Sequence, residues 1–210
     1  MSHVVLIGDS IFDNGVYVTP EPDVSRQLRA RLGSGWTVTL LATDGHVTND
    51  VAARQLARVP GDASHLVVSV GGNDALGHSS LLSAGASSVA DALGRLAAAQ
   101  ASFARDYSRM IEATLQLGIP AAVCTIYDAN HPPPLHGLIV SALALFNDVI
   151  TRAAFAHGVP LIDLRLICKE PADYANPIEP SATGGDKIAL AIADVVRTPR
   201  APRSMVWAGA

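Results

Sequence analysis

The chain has 210 residues, of which 49% are apolar and 16% charged, and its formal net charge is −4. This composition defines one globular domain with a sizeable core. It excludes several classes of protein. No stretch approaches the roughly 18 uninterrupted apolar residues of a membrane span. No basic cluster interleaved with aromatics is present to meet nucleic acid. The two cysteines, Cys124 and Cys168, are far apart and in no metal-binding or disulfide-framework spacing.

The opening "MSHVVLIGDS" carries no basic segment and no cleavage site after its short apolar run, which reads as a strand rather than a signal. With so few cysteines a reducing compartment fits. The expectation is a cytoplasmic protein, or a mature form whose signal was removed, acting on a small molecule without membrane or nucleic-acid partners. Nothing in the sequence fixes an oligomeric state.

Five β-rich runs alternate with segments of helical period. "HVVLIG" at 3–8 is a nearly continuous apolar run, as expected of a strand buried on both faces. "DVSRQLRARL" at 23–32 is helical, "WTVTLLA" at 36–42 is a strand, and "VTNDVAARQLARV" at 47–59 is helical again. "HLVVSVG" at 65–71 repeats the buried-strand pattern. In the long segment of about 88–117, Val89, Leu93, Leu96, Phe103, Tyr107, Met110 and Thr114 advance mostly by threes and fours, which predicts a helix with that stripe buried. "PAAVCTIY" at 120–127 is the fourth strand, a helix covers about 136–157, "VPLIDL" at 159–164 is the fifth strand, and a last helix covers about 181–196.

Two helices end with the same grammar, "LQLGIP" and "FAHGVP": a Gly at the stop, an apolar residue, then a Pro before the next strand. Strict alternation of strand and helix predicts right-handed crossovers, and hence a three-layer α/β/α domain with a five-stranded parallel sheet. The domain is expected over 1–198, with 199–210 a tail that frays or lies on the surface.

Ligands of such sheets bind beyond the carboxyl ends of the strands. The loops there read "GDS" at 8–10, "TDGH" at 43–46 and "GGND" at 71–74. Gly8 permits a sharp strand-to-helix corner from which the Ser10 hydroxyl can project, and Asn73 can offer a side-chain amide. Each piece alone is ordinary turn composition. Asp9 and Asp74, beside these residues, suit backbone hydrogen bonding within the loops.

In this order, at successive strand ends, the motifs resemble the SGNH, or GDSL, hydrolase superfamily over nearly the whole chain. The resemblance implies a flavodoxin-like sheet and a cofactor-independent, metal-independent serine esterase of small carboxylic esters. Ser10 would be the nucleophile, and Ser10 N–H, Gly45 N–H and the Asn73 side chain the oxyanion hole. Donors preorganised toward the oxygen on which charge develops are each worth about 3–4 kcal/mol of barrier.

The family's last motif, D-x-x-H before the final helix, is altered. The frame here is "NPIEPSATGG", with Asn176 at the Asp position and Glu179 at the His position, a subgroup with Glu in place of the histidine. Three accounts follow. Glu179 is the base of a Ser10–Glu179 dyad while Asn176 supports the loop. Alternatively a histidine of another loop serves: His131 or His136 from "DANHPPPLHG", or His46 or His78. Or the cleft only binds, or passes an acyl group to an acceptor other than water. An ordinary carboxylate pKa of about 4.3 makes a poorer base near neutrality than imidazole, and proximity to the last helix would lower it further. "NHPPPLHG" and residues 79–88 are expected to wall the pocket.

Overall fold

The computed structural model describes residues 1–198 and 204–209. In chain order the elements are β1 (Ser2–Gly8), α1 (Gly15–Val18), α2 (Val24–Leu32), β2 (Trp36–Leu40) and α3 (Thr48–Asp50), which runs into a π-turn and a 3-10 turn over 51–58. Then come β3 (His65–Ser69), α4 (Gly72–Leu76), α5 (Val89–Gln116), β4 (Ala121–Cys124) and α6 (Leu135–Ala156). The chain finishes with β5 (Leu161–Ile162), α7 (Leu164–Ile167), α8 (Ala182–Arg197) and β6 (Val206–Trp207). The sheet order is β2-β1-β3-β4-β5-β6, and every pairing is parallel.

Alternation along the central strand builds the three layers. Val4 and Leu6 of β1 face the cluster made with Val24 and Leu28 of α2 and Ile188 and Ile192 of α8. Val5 and Ile7 face the opposite cluster, with Phe103, Tyr107 and Met110 of α5 and Phe146 and Ile150 of α6. The α/β/α sandwich read from the sequence is therefore present. The two Gly stops hold as read, since Gly118 and Gly158 take φ of +69° and +66°, the left-handed form that ends a helix.

The sheet has six strands rather than five. The tail, expected to lie on the surface or fray, supplies β6: Leu161 N–H donates to Met205 O at 2.8 Å and Asp163 N–H to Trp207 O at 2.7 Å. A two-residue strand has no periodicity to read. The expected boundary at 199 lies outside the described residues.

The predicted buried stripe of α5 is also corrected at its start. Phe103, Tyr107, Met110 and Thr114 are buried, but Val89 is 77% and Leu93 58% exposed. A helix of 28 residues rises about 42 Å, more than twice the span of a five-residue strand, so its first turns overshoot the sheet. Among the described residues one helix, α6, is long and apolar enough to cross a membrane by length and composition. Its Phe146, Ile150 and Ala154 are buried against the sheet layer.

Candidate active site

Ser10 stands two residues beyond the end of β1, where Gly8 makes the corner. Gly8 has φ of +133°, and a Cβ there would stand 1.8 Å from the carbonyl oxygen of Ser69, so only glycine fits. The corner is held from the other side by Gln55. Its carboxamide accepts from Gly8 N–H and donates to Gly8 C=O, both at 2.7 Å. Gln55 is wholly buried at the end of the π-turn and was not singled out in the sequence, where it reads as one polar residue of an amphipathic helix.

The Ser10 hydroxyl donates to Glu179 Oε1 at 3.2 Å. Glu179 comes from the segment before α8, and that segment is tied at almost every residue. Asn176 Oδ1 accepts from the backbone N–H of Ile178 and Glu179, at 2.9 and 3.0 Å. Tyr127 donates to the Ile178 carbonyl at 2.5 Å, and Asn14 Nδ2 to the Pro180 carbonyl at 3.2 Å.

Burial decides the electrostatics. Glu179 is 6% exposed, and its Oε2 is buried without a hydrogen-bond partner among the described residues. Desolvation pushes its pKa up to about 7, against the lowering effect of the Ser10 hydrogen bond. The lowered value expected from the helix dipole is therefore overturned. Glu179 precedes the N-cap, Ser181, and the dipole fades within the first turn. Asp9, fully buried beside Ser10, is pushed up to about 8, chiefly by desolvation.

The remaining donors and loops fit together around Ser10. Asn73, at the start of α4, shares the Ser10 cavity, and its Nδ2 donates to the His46 carbonyl at 3.0 Å. This bond joins the β3 loop to the β2 loop carrying Gly45. Gly45 itself stands on the adjacent turn, with φ of +80°, and is not among the residues lining the cavity. Asp74 Oδ2 accepts from both the N–H and the hydroxyl of Thr48, at 3.0 Å each, and Asp9 Oδ1 from Ile11 N–H at 3.2 Å. Both aspartates thus make the loop-fixing bonds expected of them.

The histidines separate. His131 and His78 line the cavity that holds Ser10 and Glu179. His136 does not line it. It is bound through Nδ1 to the Ala129 carbonyl at 2.8 Å. His46 Nδ1 meets the Gln55 amide at 2.9 Å. The cavity wall takes Ser79, Leu81 and Leu82 from the segment expected there, and His131 from the proline-rich loop. Leu96 and Ala99 of α5 and Ile139, Ala142, Leu143 and Phe146 of α6, unforeseen in the sequence as pocket wall, also line it.

A parallel α/β/α sandwich with a serine and a carboxylate meeting beyond its strand ends defines a hydrolase-type site. The sequence profile of the GDSL-like lipase/acylhydrolase family matches residues 6–186, and the chain belongs to that family. It is a carboxylic ester hydrolase by class. Among curated proteins none matches the chain.

Solved structures share the fold at low identity. An extracellular lipase from Streptomyces rimosus superposes with a TM-score of 0.64 at 20% identity, covering 94% of this chain and 100% of that one. A lipase from a goat rumen metagenome gives 0.71 at 18%, covering 92% and 97%. Est24, a carbohydrate acetylesterase from Sinorhizobium meliloti, gives 0.67 at 14%, covering 93% and 98%.

Proposed function

We propose that the protein hydrolyses small carboxylic esters through an acyl-enzyme on Ser10, with Glu179 as its general base in a Ser-Glu dyad. The observation that carries this reading is the hydrogen bond from the Ser10 hydroxyl to the buried Glu179 carboxylate, whose backbone segment is tethered by Asn176, Tyr127 and Asn14. As Ser10 Oγ attacks the ester carbonyl, Oε1 takes its proton. The protonated acid then returns that proton to the departing alkoxide. Water repeats the cycle on the acyl-enzyme, giving the carboxylic acid and free Ser10.

A base is most effective when its pKa lies near the working pH, and about 7 meets that condition where an ordinary carboxylate would not. Ser10 N–H, Gly45 N–H and the Asn73 amide are the proposed oxyanion donors. Asn176 and Tyr127 hold the base in place. The reaction calls on no cofactor or metal. With Cys124 and Cys168 both free and buried, the setting we propose is the cytoplasm.

The test pairs two substitutions. Ser10→Ala is expected to abolish hydrolysis of a short-chain aryl ester, and Glu179→Gln to lower kcat/KM by about 10²–10⁴, both folded by circular dichroism. Full activity in Ser10→Ala sinks the nucleophile. Near-normal activity in Glu179→Gln moves the base to His131, which shares the cavity.

A further inference from the structure

The cavity beside Ser10 is strongly asymmetric. It extends from Ser10 and Glu179 to an apolar wall made of Leu96 of α5, Ile139, Leu143 and Phe146 of α6, and Leu81 and Leu82 of the 79–83 turn, and its volume is about 150 Å³. The other flank of Glu179 is polar. Asp44 is near enough for its charge to raise the Glu179 pKa, Tyr17 donates to Asp44 Oδ2 at 2.6 Å, and Asp44 N–H is held by Asp13 at 3.0 Å. An ester carbonyl at Ser10 thus has an apolar side and an acidic side.

The two halves of an ester have different fates. The alcohol takes a proton and leaves at once, so it belongs on the side open to water. The acyl group stays bonded to Ser10 until water arrives, and needs a place to remain. An apolar cavity of about 150 Å³ holds a molecule of about six carbons, the size of benzene. Short apolar chains gain from such a wall, whereas an acetyl group leaves most of it empty.

Resting on the esterase reading above, we infer that the pocket between α5 and α6 is an acyl-chain site that selects medium chains of about six carbons over acetyl. The exposed Leu93 of α5 and Leu138 of α6, one helical turn from Leu96 and beside Ile139, continue the same apolar surface toward the opening. The last carbons of the acyl chain lie at this end.

The experiment is a chain-length series of p-nitrophenyl esters from acetyl to palmitoyl, with a second series of alkyl acetates that puts the same chain on the alcohol side. A buried methylene is worth about fourfold in an equilibrium at most. The expected result is a rise in kcat/KM of at least about tenfold from acetyl to hexanoyl, no further rise beyond about eight carbons, and no such rise among the alkyl acetates. Ala142→Trp, which fills the cavity from α6, is expected to reduce the hexanoyl-to-acetyl ratio at least about fivefold.

Acetyl turned over as well as hexanoyl, or an equal gain with the chain on the alcohol, overturns the acyl site while leaving the esterase reading intact. Failure to hydrolyse any ester overturns the esterase reading instead. Calorimetry on Ser10→Ala protein then decides the pocket alone: methyl hexanoate must bind at least about tenfold tighter than methyl acetate, and equal binding refutes the selectivity.

Discussion

At the scale of single residues, the replacement of histidine by Glu179 turns on how far burial reshapes a carboxylate. The base must be ionised to accept a proton, and burial raises its pKa to about 7. Activity is therefore expected to increase from acid to alkaline pH with a midpoint near 7 in kcat/KM, well above the carboxylate range. A histidine, ordinarily near 6.5, would give a limb in almost the same place. The midpoint alone cannot tell the two apart, so the profile is to be measured on wild type and Glu179→Gln together. A limb that vanishes with the carboxylate assigns it to Glu179, and a limb that survives at full height assigns it elsewhere. Ser10, Asn73 and Glu179 were legible because each follows a strand or precedes the last helix in a recognisable order. The direction of the Glu179 shift was not, because desolvation depends on which distant residues close over the carboxylate.

At the scale of elements, most of the sandwich was readable because hydrophobic period reports burial directly. It failed where geometry rather than pattern decides. The first turns of α5 carry core-like residues past the end of the sheet, where Val89 and Leu93 meet solvent. Residues 47–59 read as one amphipathic helix but form a helical turn, a π-turn and a 3-10 turn. The π-turn carries Gln55 at its end, with its carboxamide on both backbone groups of Gly8. π-turns often occur at functional sites for such reasons. Gln55→Ala would leave the buried Gly8 N–H without its partner, costing about 1–3 kcal/mol, while the Gly8 C=O keeps its bond from Thr43 N–H. The expected result is a loss of about 1–3 kcal/mol, measured by urea unfolding, together with a fall in kcat/KM because the Ser10 corner loses its brace. Unchanged stability would mean that the Gly8 groups find other partners, and Gln55 would lose this role.

At the scale of the whole molecule, two buried carboxyls beside the nucleophile set how stability responds to pH. Asp9 rises from 3.8 to about 8 and Glu179 from 4.5 to about 7 on folding. In both, the folded state keeps a proton that the unfolded chain has already released. Stability depends on pH in proportion to protons bound unfolded minus folded, so these groups make the slope negative. Their contribution is fully present below about pH 4 and is lost progressively as pH rises through 7 and 8. His65 works the other way, since burial lowers its pKa below 6.5 and the unfolded chain holds the extra proton. Its exposure to water is greater and its pull correspondingly smaller. Asp163, lowered by Arg165 and Thr125, acts below pH 4, outside this window. Asp9→Asn keeps an oxygen for the Ile11 N–H and removes the acid. The variant is expected to melt a few °C above wild type at pH 8, with the gap narrowing toward pH 4, where the unfolded chain's carboxyl also keeps its proton. Thermal unfolding of both proteins across this range reads the difference directly. A gap of the same size at every pH would point to altered packing. No gap at pH 8 would mean that Asp9 is already ionised and paired in the folded protein, in which case the site beside Ser10 carries a second negative charge. That charge would hold Glu179 protonated to higher pH and move the activity limb with it.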